Sequence, residues 1–354
     1  MHEMPFMPLV ELTRGPIVES VHWGALAIVD SRGRLLASLG DPYLVMHLRS
    51  TAKPFQLLPL IEEGAVERFS LTPEEIAIMC ASHSGTDEHV QVIARLQAKL
   101  GIEEKELQCG VHPPFHEPTW QAMIQRNETP TPNRHNCSGK HTNMLAQAAL
   151  LEASREDYLD PQHPVQQRIL HALAEMCNIS LEDIRIGIDG CSAPVFALPL
   201  YHAALGYARL CDPVELSPQR AQACRTITSA MTKAPFMVAG PGRFDTLVME
   251  IGMGKIIAKG GAEGYQGIGL LPGALGPDSP GIGITFKIAD GDPGGRARPV
   301  VAIEVLRQLG VLNEDQIQSH LADLAPRPLK NWRGLSVGEI RPVFKLEWQR
   351  SFGL

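Results

Sequence analysis

The chain has 354 residues, 44% hydrophobic and 20% charged, with a formal net charge of −7. This is the balance of a globular enzyme with a sizeable core, without the basic stripe a nucleic-acid partner would require or an apolar run able to span a bilayer. The opening stretch MHEMPFMPLVELTRG has no basic segment followed by a long apolar one, so no signal peptide is expected, and seven scattered cysteines suit buried thiols in a reducing cytoplasm better than a disulfide framework.

Residues 25–40 (ALAIVDSRGRLLASLG) are two apolar runs around Ser31-Arg32-Gly33 and predict a β-hairpin. After a loop, HLRSTAKPFQLLPL (47–60) opens an apolar helix that stops at Gly64. Thr72-Pro73-Glu74-Glu75 is a helix start, with an N-cap, a proline at the first position and a capping-box glutamate. The short loop Ser82-His83-Ser84-Gly85 separates that helix from one that begins at Thr86 and ends at Gly101. A Pro-rich loop (112–133) precedes NCSGKHTNMLAQAALLEA, which is helical after Gly139, and a further helix covers roughly 165–177.

IRIGIDGCSAPVFALPLYHAALGYARL predicts a short strand, a glycine turn and a helix. Ser217-Pro218 opens a helix toward Met231. Glycines gather late in IGMGKIIAKGGAEGYQGIGLLPGALG, between short apolar runs. GIGITFKIADGD predicts a strand, RARPVVAIEVLRQLG an amphipathic helix and VGEIRPVF a last strand. The expected fold is α/β (α+β): one antiparallel sheet built from both chain ends, flanked by helices, with an inserted helical lobe at roughly 65–235. The two packed lobes would make a single catalytic domain.

Ser50 and Lys53 stand three apart at the start of a helix and so face the same side. They are either a cap serine followed by a surface lysine, or a nucleophile and its base. A lysine serves as a base only where burial or a neighbouring cation such as Arg49 lowers its pKa. The free N–H groups at the helix start favour an oxyanion. A hairpin, a loop and S-x-x-K opening an apolar helix is the order found in serine enzymes of the penicillin-recognising fold. Such enzymes need a second serine on a loop between helices and a lysine-glycine pair on an edge strand. Ser82 and Lys259-Gly260 stand in that chain order; each alone reads more simply as a loop serine and a solvated strand-end lysine, and it is the three coincidences in order that favour a shared site.

NCSGKH places Cys137, Lys140 and His141 at a loop-to-helix junction, and DGCSAP places Asp189 and Cys191 at a strand-to-helix junction. Two thiolates with a third donor would suit zinc, but free cysteine is more often an inert buried residue. Lysine is an unusual ligand, since its amine must first lose a proton. Cys109, His112 and His116 in CGVHPPFHEP have ligand-like spacing, yet two prolines stiffen the stretch and no fourth ligand is evident, so it is read as a surface loop.

Together, RSTAKPFQLLPL, SHSGTDEHV, NCSGKHTNML, IDGCSAP and AKGGAEG resemble the L-asparaginase II family of the Rhizobium etli inducible type, from about Glu19 to VGEIRP. The resemblance implies the fold shared by serine β-lactamases and some glutaminases. It implies two Ser-Lys pairs, Ser50 with Lys53 and Ser82 with Lys259, and hydrolysis of L-asparagine to L-aspartate and ammonia. It also implies a zinc site at Cys137, Lys140 and Cys191, helpful for orienting substrate but not essential to the chemistry, and a homodimer. Asp189 would take the substrate ammonium and Lys140 or Arg49 its carboxylate, with His141 beside them. Some relatives carry a further cysteine near GRFDTLVME; its absence here implies weaker metal affinity. Alternatives are a glutaminase or other small-amide hydrolase, an enzyme that reacts with penicillin, and a non-catalytic protein organised by zinc.

Overall fold

The computed structural model describes residues 5–348. From the N-terminus, β1 (Met7–Arg14) and β2 (Ile17–Asp30) form an antiparallel hairpin, and β3 (Leu35–Leu39) returns along the second half of β2. The turn between β2 and β3 closes because Asp30 Oδ1 accepts the N–H groups of Arg32 and Arg34 while Gly33 takes φ of 83°. The predicted hairpin at 25–40 therefore forms, and β1 is an additional strand beyond those the sequence pattern predicts. A short strand, β4 (Val45–His47), follows.

Residues 47–197 and 213–259 make up a helical unit. It begins with α1 (Lys53–Glu62), entered through a single tight turn over 49–52. It continues with α2 (Ala65–Phe69), α3 (Pro73–Met79), α4 (Asp87–Leu100), α5 (Glu117–Gln125), α6 (Ser138–Leu150) and α7 (Pro164–Cys177). The expected starts hold for a physical reason. Thr72 and Thr86 each accept the N–H of the third helical residue, and the side chain at that residue caps back, so two otherwise unpaired backbone donors are satisfied at each end.

All of α1 except its last residue is buried, so it forms the core of this unit, packed against α6, α7 and α9 (Pro218–Lys233). The unit is wider than the predicted 65–235, because the helix carrying Lys53 belongs to it and it runs on to residue 259.

The segment after α7 differs from expectation. β5 (Arg185–Ile188) and β6 (Pro194–Pro199) pair antiparallel, Arg185 opposite Ala197, so Cys191 lies in a hairpin turn and not at a strand-to-helix junction. The helix α8 (Leu200–Cys211) starts only after that second strand. The fully apolar run VFAL disguises β6, because a strand buried on both faces shows no alternation.

Within the helical unit, α10 (Pro235–Val238), α11 (Phe244–Ile251) and β7 (Ile256–Gly260) follow α9. The sheet unit comprises residues 5–46, 198–212 and 260–348. It adds β8 (Tyr265–Leu270), β9 (Ile282–Ile288), α12 (Ala297–Gln308), α13 (Glu314–His320), β10 (Arg327–Lys330), β11 (Ser336–Pro342) and β12 (Glu347–Trp348). Its strands run in the order β10-β11-β1-β2-β9-β8, with antiparallel neighbours, and β3 extends the far half of β2. The two chain ends thus share one sheet, as the strand pattern predicts. Glycine decides how closely α8 lies on it: a Cβ at Gly283 would sit 1.8 Å from the Ala204 carbonyl oxygen.

Candidate active site

The site lies within the helical unit and begins at the turn before α1. Arg49 has φ of 52°, a left-handed conformation that costs a non-glycine residue energy and persists only where its surroundings impose it. Arg49 Nε donates to Asp189 Oδ1 at 2.9 Å, which ties the turn to the β5–β6 hairpin. The kink leaves Ser50 half-buried, while Lys53, one turn on, is 1% exposed.

Lys53 Nζ points to the other loop. It donates to Ser82 Oγ at 3.0 Å, to the Ala81 carbonyl and, at 3.4 Å, to the Asn136 carbonyl. Three acceptors thus surround one buried amine. Lys259 Nζ, on β7, lies 2.9 Å from the same Ser82 Oγ. Ser82 is therefore held between two buried amines, and Ser50 makes no hydrogen bond to Lys53. The predicted pairing of Ser50 with Lys53 is replaced in this arrangement by a Lys53–Ser82–Lys259 chain, with Ser50 one turn away.

Burial, followed by the nearby Lys53 charge, pushes the Lys259 amine down from its usual range to about 7, against an opposing pull from Asp245. Two cations cannot comfortably share so dry a place.

The Ser82 loop is fixed by its neighbours. Ser82 N–H donates to the Val238 carbonyl at 2.9 Å and Ser84 Oγ to the Ala239 carbonyl at 2.8 Å. His83 is fully buried; its Nδ1 accepts the Gly85 N–H and its Nε2 lies 2.9 Å from Ser138 Oγ. Burial and the surrounding cations hold this imidazole well below its usual pKa, so it is a neutral strut. Gly139 lets α6 reach the end of α3: a Cβ there would lie 2.1 Å from the Ile78 carbonyl oxygen. That approach brings Asn136 and Ala81 around a single lysine.

Beside this chain, Lys140 Nζ donates to Cys191 Sγ at 2.8 Å. The Cys191 thiol beside it, together with the Lys53 and Lys140 charges, holds the Cys137 thiol well below its usual pKa against the effect of burial, while Cys137 and burial raise that of Cys191. The neighbouring thiolates push the Lys140 pKa up against the effect of burial. His141 Nδ1 lies 2.7 Å from Tyr158 Oη, its ring lies within reach of the Cys191 thiol, and burial lowers its pKa to about 4.

These donors are of the soft kind zinc prefers. Among the described residues, however, no three His, Cys, Asp or Glu side chains converge in positions that could hold a metal ion. A metal would rest on two thiols and the Lys140 amine, which must first give up its proton.

The remaining predicted residues divide by position. Arg49 and Asp189 line one narrow pocket with Ser50, Lys53 and Lys140. There they are paired with each other, whereas the sequence reading gave them separate substrate charges. His141 is fully buried behind that wall. Cys109 is buried, and His112 Nε2 accepts the Asn136 N–H at 3.1 Å, so CGVHPPFHEP is a packed support of the site and not merely a surface loop. Sequence reasoning missed Asn136, Asp245 and Gln56, since a carbonyl and isolated polar side chains leave no spacing signal.

Comparison with known proteins gives a match to the sequence pattern described as L-asparaginase II over residues 10–342. No curated protein matches the sequence. Solved structures with some likeness include a β-lactamase from Mycobacterium bovis, 12% identical, covering 81% of this chain and 94% of that one with a TM-score of 0.44. A crystal structure titled Mglu is 14% identical, covering 83% and 69% with a TM-score of 0.43. A probable glutaminase from Bacillus subtilis, complexed with 6-diazo-5-oxo-L-norleucine, is 12% identical, covering 81% and 84% with a TM-score of 0.39. With a match spanning most of its length, this chain belongs to the L-asparaginase II family and is an amidohydrolase of that type.

Proposed function

We propose that the protein hydrolyses L-asparagine to L-aspartate and ammonia. The observation that carries this reading is Ser82 held between the buried amines of Lys53 and Lys259, with half-buried Ser50 one turn before Lys53. Accessibility supports the following division of roles. Ser50 lines the pocket and attacks the side-chain amide carbon, while Ser82, 7% exposed, carries protons between the lysines.

Because two adjacent ammonium groups are disfavoured, the pair holds one proton fewer than two free lysines would. Lys53 passes a proton through the Ser82 hydroxyl to Lys259, becomes neutral and accepts the proton of Ser50 as Ser50 attacks. The first N–H groups of the turn at 49–52 hold the oxyanion. The proton returns along the chain to the departing ammonia, leaving an ester on Ser50 that water cleaves by the reverse path. The Arg49–Asp189 pair offers opposite charges to the substrate's carboxylate and ammonium. Zinc held by Cys137, Cys191 and Lys140 would supply positive charge beside the pocket; every step above uses the chain's own groups.

A second reading, in which Ser82 itself attacks, is favoured by its contact with both amines. Ammonia release from wild type, Ser50→Ala and Ser82→Ala, with mass spectrometry of the trapped acyl-enzyme, separates the two. A covalent adduct on Ser82, or full activity of Ser50→Ala, overturns the assignment to Ser50. Parallel assays with L-glutamine decide which amide is preferred.

A further inference from the structure

We propose that His112 is a positioning residue for the proton chain: its bare Nε2 accepts the Asn136 N–H and so fixes the carbonyl that Lys53 uses to aim its amine at Ser82. The inference rests on the functional reading above and adds a residue to it. The stretch CGVHPPFHEP supplies the geometry. His112 Nδ1 lies 2.6 Å from the Pro113 carbonyl oxygen. A carbonyl only accepts, so Nδ1 carries the ring proton and Nε2 keeps a lone pair. The Asn136 N–H donates to that lone pair at 3.1 Å. The Asn136 side-chain amide lies 3.3 Å from the same nitrogen through its oxygen, and a half-turn of that amide presents its NH2 instead. Both ring nitrogens are thus engaged, and the ring is clamped. Phe115 stacks on it at 4.6 Å, nearly parallel, and His135 leans on it at 4.3 Å.

The need for such a clamp follows from how α6 begins. Its N-terminus has no side-chain cap, and a helix start leaves backbone donors that must find partners. Two imidazoles meet the donors just before the helix: His112 takes the Asn136 N–H, and His135 Nδ1 takes the Cys137 N–H at 3.0 Å.

The held donor and the working acceptor flank one α-carbon. The Asn136 carbonyl accepts Lys53 Nζ at 3.4 Å, and the same amine reaches Ser82 Oγ at 3.0 Å. Releasing the Asn136 N–H lets this stretch of backbone turn, and a buried amine that loses an acceptor is costly. Lys53 is also faced by Cys80 and His83 after α3, His135 and Cys137 before α6, and Lys259 on β7. A substitution at 112 leaves all five of these groups in the chain, so its effect on the lysines runs through Asn136.

The test measures kcat and KM for L-asparagine across the pH range in wild type, His112→Phe and His112→Gln, with nitrogen-15 spectra of the wild-type histidine rings. His112→Phe keeps a flat ring against Phe115 but offers no acceptor; His112→Gln keeps an acceptor oxygen. The expected result for His112→Phe is a loss of about 10-fold in kcat with KM unchanged. Its acid limb, set near pH 7 in the wild type by the lysine pair, moves to lower pH, because an ammonium deprived of an acceptor gives up its proton sooner. His112→Gln restores both rate and limb. The wild-type spectra show the His112 ring protonated at Nδ1 and bare at Nε2. Equal losses in both variants with an unmoved limb mean a merely structural ring and overturn the proposal. Full activity of His112→Phe overturns it too, as does a proton on Nε2. Should His112→Phe not fold, the ring spectra and the rate of His112→Gln decide by the same criteria. A wild type inert toward asparagine and glutamine refutes the functional reading itself, whereas an active enzyme with an unmoved limb in His112→Phe refutes this assignment alone.

Discussion

Lys259 gives the sharpest quantitative consequence. Its amine falls from an ordinary 10.5 to about 7, first by burial and second by the Lys53 charge. At 1.36 kcal/mol per pH unit, this is a bias of about 5 kcal/mol toward the neutral amine. A group titrating at 7 is about one-tenth neutral at pH 6, half at pH 7 and nine-tenths at pH 8. If the free enzyme needs one neutral amine in the Lys53–Ser82–Lys259 chain, kcat/KM for asparagine rises about fivefold from pH 6 to 7 and about twofold from 7 to 8, then levels. The limb belongs to the lysine pair as a unit. Ammonia release followed from pH 5.5 to 10 measures it, and Lys259→Met should remove both the limb and most of the rate. A rate still climbing tenfold per pH unit at pH 9 would show lysines that keep their ordinary affinity for protons. A rate flat between pH 6 and 8 would show that no such group is required. Either result refutes the reasoning.

The same amine links stability to pH. Its folded pKa lies below its unfolded one, so between about 7 and 10.5 the unfolded chain binds the extra proton and this group's contribution to stability grows with pH. Thermal melts at pH 7.5 and 9.5 should show a smaller rise in Lys259→Met than in wild type, and identical slopes would count against the burial argument. Ser50→Ala should lower asparagine turnover by on the order of 10⁴-fold with Tm unchanged, as read by ammonia release and calorimetry. Gly139→Ala should destabilise the helical unit by about 1–3 kcal/mol, because its Cβ would meet the Ile78 carbonyl at 2.1 Å; a denaturation midpoint equal to wild type would contradict that close approach. Removing bound metal with a chelator, checked by elemental analysis, should leave most of the asparagine hydrolysis in place, and complete loss with recovery on adding zinc would make the metal essential.

Much of the local structure was legible because its causes are local. Thr72 and Thr86 cap helices with side chains three residues away, and Ser31-Arg32-Gly33 turns the hairpin through contacts within five residues. The strand β6 escaped because burial on both faces erases the period of two, and with it went the placement of Cys191. The site was legible in its members more than in its pairings. Ser50, Lys53, Ser82 and Lys259 could be named from motif order, yet the partner of Lys53 proved to be Ser82, 29 positions away, and not Ser50.

The sequence by itself determined the helix starts and the candidate side chains, because caps, turns and short motifs are set by residue type and short-range spacing. Tertiary structure alone decided who touches whom: Lys53 and Lys259 on one hydroxyl, and Arg49 on Asp189. Such contacts join segments tens to hundreds of residues apart, and the burial that pushes an amine toward neutrality is a property of the packed interior, which no local stretch encodes.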